Sequence, residues 1–86
     1  MISENAKLLP VNVQNLLAYF SYTHLPSHLQ KISKPFSDTA NLVVDNYVEQ
    51  MKAAQADDLN MAELVTGLHK LLEAKDCMVR AHIKPS

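Results

Sequence analysis

A chain of 86 residues has room for one domain with a marginal core, and 48% hydrophobic residues, 20% charged residues and a single glycine stock it for helices while leaving few hairpin turns. A formal net charge of −1 supplies no excess of cations for a nucleic-acid backbone or a membrane surface, so no DNA or membrane partner is expected and any anion site has to be local. The lone Cys77 forms no internal disulfide and suits a reducing cytoplasm, the opening MISENAKLLPVNVQ lacks the charged-then-apolar layout of a signal peptide, and no apolar run approaches bilayer length.

The first predicted element is a helix over about residues 10–22. It begins at Pro10, where a missing N–H costs nothing, and carries Val13, Leu16, Leu17 and Phe20 at i, i+3, i+4, i+7 spacing. The second, over about 27–53, opens on Ser27 and Gln30 in the form of a capping box and advances through Leu29, Ile32, Phe36, Ala40, Val43, Tyr47 and Met51. Pro35 lies within that stripe. Because proline deletes one backbone hydrogen bond and crowds the carbonyl four residues back, a kink or short break is expected near Lys31 to Lys34. The stretch KAAQADDLN reads as a turn. Asn60 with Glu63 then caps a third helix, to about residue 83 and ending before Pro85, with Leu64, Val65, Leu68, Leu71, Leu72, Met78 and Val79 on one side. Gly67 inside it signals either a close helix approach or a tolerated glycine. No internal repeat or low-complexity tract is apparent.

Two long helices joined by a short connection run antiparallel. Residues 1–86 therefore read as a single all-α domain, a short N-terminal helix followed by a long, proline-kinked helical hairpin. The fold-back places His24, His28, Lys31, Lys34, Arg80 and Lys84 at one end, and Asp45, Glu49, Asp57, Asp58 and Glu63 at the other. Arg80, Lys84 and Glu63 suit the helix macrodipole. Lys31 and Lys34 do not, being cations early in a helix beside N–H groups freed by Pro26 and Pro35, and so they point to a negative ligand. Tyr22, at the rim of the same end, is placed to stack on a base, or merely to cap the core. Phe36, Tyr19 and Tyr47 are packing residues by their spacing.

His24 and His28 have i, i+4 spacing, but no cysteine or carboxylate completes a metal set, so neither metal nor cofactor is expected. Nothing pairs a nucleophile with a base or two carboxylates in a cleft, so no catalytic residue is assigned and the chain reads as a binder. With the stripes, Leu8, Leu9, Leu42, Val44 and Val48 offer more apolar surface than one copy can cover, which points to self-association. The rival reading is a small helical module or regulator that docks an apolar stripe on a protein partner.

The run FSYTHLPSHLQKISKPFSDTA, followed by GLHKLLEAKDCMVRA, resembles the phage anti-CBASS sponges, small helical-hairpin proteins that sequester cyclic nucleotide signals and whose fold is shared by an anti-Thoeris sponge. The likeness spans roughly residues 16–82. It implies a non-enzymatic protein that acts in the cytoplasm of the infected bacterial host. Such a protein assembles as a homo-oligomer, a hexamer in the best-known branch, and holds cyclic dinucleotides such as cyclic GMP-AMP between subunits so that CBASS immunity stays silent. Some members also hold cyclic trinucleotides in a separate pocket. By motif the base-stacking tyrosine is Tyr22, the phosphate-binding lysine is Lys34 and the C-terminal arginine is Arg80. Tyr19 takes the aromatic role if the first helix is rotated, and Lys31 is the alternative lysine. With His24 and Phe36 between them in the first run, these make the expected ligand-binding set Tyr22, His24, Lys34, Phe36 and Arg80.

Overall fold

Two helices start on the same pattern, Leu-Pro followed by two variable residues, an apolar residue and Gln: LPVNVQ at residues 9–14 and LPSHLQ at residues 25–30. In each the proline is the N-cap, with φ and ψ of −56° and 153° at Pro10 and −55° and 152° at Pro26. Its carbonyl accepts two amide N–H groups, those of Val13 and Gln14 at 3.0 and 3.2 Å, and those of Leu29 and Gln30 at 2.9 and 3.0 Å. The glutamine then reaches back over the helix start. Gln14 Nε2 donates to the carbonyl of Leu9 at 2.9 Å, and Gln30 Nε2 to that of Leu25 at 2.8 Å. A short repeat is thus present after all. It also replaces the expected capping box, because Pro26 and not Ser27 holds the N-cap position and no side chain caps the helix there.

The structure, a computed structural model, describes residues 4–55 and 59–84. Among them it is all-α: a 3-10 turn at Ala6–Leu8, then α1 (Val11–Ala18), α2 (Ser27–Ala54) and α3 (Met61–Ala81), with no strand. The expected acidic residues Asp57 and Asp58, and the helix-ending Pro85, lie outside the described residues. α1 is shorter than its spacing predicted. Tyr19, Phe20 and Ser21 bond to the carbonyls of Leu16, Leu17 and Ala18, a three-residue pattern that tightens and ends the helix before Tyr22.

α2 is 28 residues long, roughly 42 Å at the usual rise per residue, and runs through Pro35 without a break. No second helix start exists at Pro35, so the N–H groups expected to be freed there are not a site. The helix ends at Gln55, whose φ of 54° and ψ of 37° place a non-glycine residue in the left-handed region, where its N–H closes on the carbonyls of Met51 and Lys52. At the start of α3 the Asn60 side chain accepts from the Glu63 N–H at 3.2 Å, the cap read from the sequence.

The core consists of Ala6, Leu9, Val13, Leu16, Leu17, Phe20, Ala40, Val44, Val48 and Leu68. The buried line on α2 therefore differs from the apolar stripe. It passes through Leu29, Ser33, Ser37, Ala40, Val44 and Val48, while Val43 is exposed. Phe36, Tyr47 and Met51, on the flank of this line, are half-buried and pack against the core from the side. Leu9, Val44 and Val48, expected as surplus surface, are core. Leu8, Leu42 and Met78 remain exposed, although Met78 was placed on the inner stripe of α3.

α2 packs mainly against α3, and α1 and the 3-10 turn pack on the pair. Residues 46–50 meet residues 59–64, and Thr39 and Val43 meet residues 63–71, so the two helices pass in opposite directions. The Leu59 N–H donates to the Tyr47 hydroxyl at 3.0 Å and fixes the reversal. Close to that point Asn5 is tied to the end of α2: Asn5 Nδ2 donates to Glu49 at 3.1 Å and Lys52 donates to Asn5 Oδ1 at 3.2 Å. A Cβ on Gly67 would meet nothing within 4 Å, so this glycine marks no close helix approach.

Candidate functional site

The end of α1 sets the site. When the chain tightens at Tyr19, Phe20 swings inward and is 1% exposed, while Tyr19 beside it is 67% exposed. Residues 21–26 then carry the chain across to α2. They are not held by helix or sheet. The Leu25 N–H bonds to the Tyr22 carbonyl at 3.0 Å, and Gln30 Nε2 clamps the Leu25 and Thr23 carbonyls at 2.8 and 3.4 Å. His24 is therefore carried on a turn braced from the first turns of α2.

Facing this turn are the last turns of α3. Between them lies a cavity of 390 Å3 walled by Ala18, Tyr19, Ser21, His24 and Leu25 on one side and Lys75, Asp76, Val79 and Arg80 on the other. Residues from opposite ends of the helical array thus border one concave surface. Lys75 is the most sheltered of its charged groups, with a side chain 12% exposed, and its ammonium lies 2.8 Å from Asp76 Oδ1. Arg80 gives one N–H to the Cys77 sulfur at 3.4 Å, a weak bond that leaves most of its five donors for a ligand. An aromatic ring, two cations, an imidazole and a carboxylate in one open cleft form a set suited to a nucleotide, whose phosphate and base make opposite demands.

The expected ligand-binding residues divide. His24 and Arg80 are brought together in the cavity wall. Tyr22 and Lys34 are not among the cavity walls. Lys34 Nζ is 2.8 Å from Asp38 Oδ2, and its ammonium is held above the usual lysine value first by that hydrogen bond, then by the Asp38 charge and then by Tyr22. This ion pair is the plain reason for a lysine early in α2, and it was visible as i, i+4 spacing. Phe36 is half-buried against the core and is not among the cavity walls, as its place on the stripe suggested. Tyr19, named only as the alternative aromatic, lines the cavity; Lys75 and Asp76 were not selected from the sequence at all. The signal for Lys75 was its position: Leu68, Leu72, Lys75 and Val79 continue one stripe, so a lysine occupies an inward place on α3.

A second concavity runs between α2 and α3. It is lined by Thr39, Val43, Leu64, Gly67 and Leu71, continues past Tyr47 and Leu59, and is almost entirely apolar. Among the described residues no three of His, Cys, Asp and Glu come together as a metal set, and no helix is long and apolar enough to cross a membrane. No family model matches the chain, and no curated protein and no solved structure shows a significant similarity to it.

Proposed function

We propose that this protein captures cyclic oligonucleotide messengers, cyclic dinucleotides such as cyclic GMP-AMP among them, and withholds them without turnover, silencing CBASS immunity in the cytoplasm of an infected bacterial host. The observation that carries the reading is the cavity in which Tyr19 and His24 face Lys75 and Arg80. An antiparallel hairpin of α2 and α3 serves this purpose directly, because it returns the cations of the last helix to the turn after the first. Arg80 meets a phosphate and Tyr19 stacks on a base.

The cavity is at the small end of ligand sites, which run from about 300 to 1,000 Å3. A ring with two bases and two phosphates exceeds it, so the second half of the ligand belongs to another copy of the chain. Exposed Leu42, Val43 and Leu59, beside the apolar groove, give that copy a surface to pack on. A homo-oligomer, a hexamer by the resemblance, follows.

Native mass spectrometry of the protein with and without cyclic GMP-AMP reads subunit number and bound mass together, and release of intact ligand on denaturation separates capture from cleavage. Arg80→Glu is expected to weaken binding by at least about tenfold. Cyclic GMP-AMP that binds no tighter than the linear dinucleotide ends the proposal. The apolar groove favours a second reading, a helical module that docks a protein partner. That reading requires Arg80→Glu to leave the activity intact and Val43→Asp alone to abolish it.

A further inference from the structure

We infer that Asp76 reads the hydrogen-bond donor edge of a guanine base and makes the cavity prefer guanine nucleotides to adenine nucleotides; the inference rests on the cavity being a nucleotide site. Asp76 is the group in the wall that phosphate binding does not explain. A carboxylate beside Lys75 and Arg80 opposes a phosphate, so a ligand seated here has to set something else against it. Guanine offers the N1–H and the exocyclic N2 amino group side by side, two donors spaced to meet one carboxylate. Adenine offers at the matching edge one amino group and a bare N1 lone pair, which faces the anion unfavourably.

The geometry supports that use. Lys75 holds Oδ1 at 2.8 Å from the side of the protein, and the Asp76 side chain is still 46% exposed, so it is anchored without being covered. An ionised carboxylate has about four lone-pair positions, and one ammonium contact leaves room for two donors from a base. Tyr19, on the opposite wall, supplies a ring face against which the base lies while its edge meets Asp76. A site that requires donors discriminates, because the wrong base sets a lone pair against the carboxylate where the right one sets two N–H groups.

The bland role for Asp76 is to neutralise Lys75, and it makes a different prediction. Without the carboxylate, every anionic ligand then binds more tightly, whatever its bases. Titration calorimetry with cyclic di-GMP, cyclic di-AMP and cyclic di-IMP on the full-length protein and on Asp76→Asn tells them apart. The inference expects the unaltered protein to favour cyclic di-GMP over cyclic di-AMP by at least about tenfold. It expects the inosine ligand, which keeps N1–H but lacks the 2-amino group, to fall between them. Asp76→Asn is expected to lose most of that preference through weaker cyclic di-GMP binding. Equal affinities in the unaltered protein, or a uniform gain for all three ligands in Asp76→Asn, overturn the inference while leaving capture standing. Absence of binding by all three ligands and by cyclic GMP-AMP overturns both. The inosine ligand tests the unaltered chain, so the outcome does not depend on how the variant folds.

Discussion

Tyr19 and Phe20 are neighbours of similar size, and truncating them is expected to have opposite consequences. Phe20 is 1% exposed and ranks first by volume among the fully buried side chains. An aromatic side chain buries about 150–250 Å2, and at about 25 cal/mol per Å2 the lost transfer energy for Phe20→Ala comes to roughly 4–6 kcal/mol, close to the 3–5 kcal/mol measured for such truncations. For a domain of this size that is a large part of all its stability. Phe20→Leu, about 1–1.5 kcal/mol, keeps the protein folded and measurable. Tyr19, by contrast, is 67% exposed, and Tyr19→Ala is expected to stay within about 0.5 kcal/mol. Urea unfolding followed by circular dichroism at 222 nm, at two protein concentrations, gives both numbers. With a slope of roughly 1 kcal/mol per molar, Phe20→Leu moves the midpoint down by about 1 M and Tyr19→Ala hardly at all. The ligand titration should rank them the other way, with Tyr19→Ala losing affinity and Phe20→Leu keeping most of it. If Tyr19→Ala destabilises the isolated chain as much as Phe20→Leu, the turn at the end of α1 has been misassigned and the cavity with it.

Gln55→Gly should stabilise the fold by about 1 kcal/mol, since it removes the cost of a side chain at φ 54° at the end of α2; a thermal melt that is unchanged or lowered would contradict this. The Lys34 ammonium should titrate above the ordinary lysine range, because pairing with Asp38 favours its charged form. The sign follows from the raised value: the contribution of the pair is complete below the unfolded-state pKa of the lysine and is lost as pH rises through the folded-state one, in the alkaline range. Side-chain nitrogen NMR of Lys34 in the parent and in Asp38→Asn checks it, with the variant expected to return to the ordinary value.

Much of the helical architecture could be read from spacing, and the errors have local causes. Asn60 with Glu63 announced the start of α3, and Val13, Leu16, Leu17 and Phe20 announced the buried face of α1, because in both places the residue types match their environment. α2 was harder. Its apolar spacing points to Val43, which is exposed, and nothing in composition marks Ser33 as fully buried or its hydroxyl as lacking a hydrogen-bond partner. The site was legible as an end of the molecule and not as a wall. His24 and Arg80, placed at one end by the fold-back, do line one cavity. Lys75 was passed over because a lysine followed by an aspartate looks solvated until the stripe around it is counted, and Tyr19 because α1 ends earlier than its periodicity promised. Lys34 was read as waiting for an anion when its own helix already supplies one.

The paired proline and glutamine starts of α1 and α2 bear on how tightly anything is held at the cavity. A turn that hangs free must be immobilised when a guest arrives, and the lost chain entropy is subtracted from affinity. Here the turn bearing His24 is already strapped at two carbonyls by Gln30, from a helix whose beginning is written in its own six residues. That side of the cavity is braced before any guest arrives. Cutting the strap with Gln30→Ala would be felt less in what the cavity touches than in how fast it lets go.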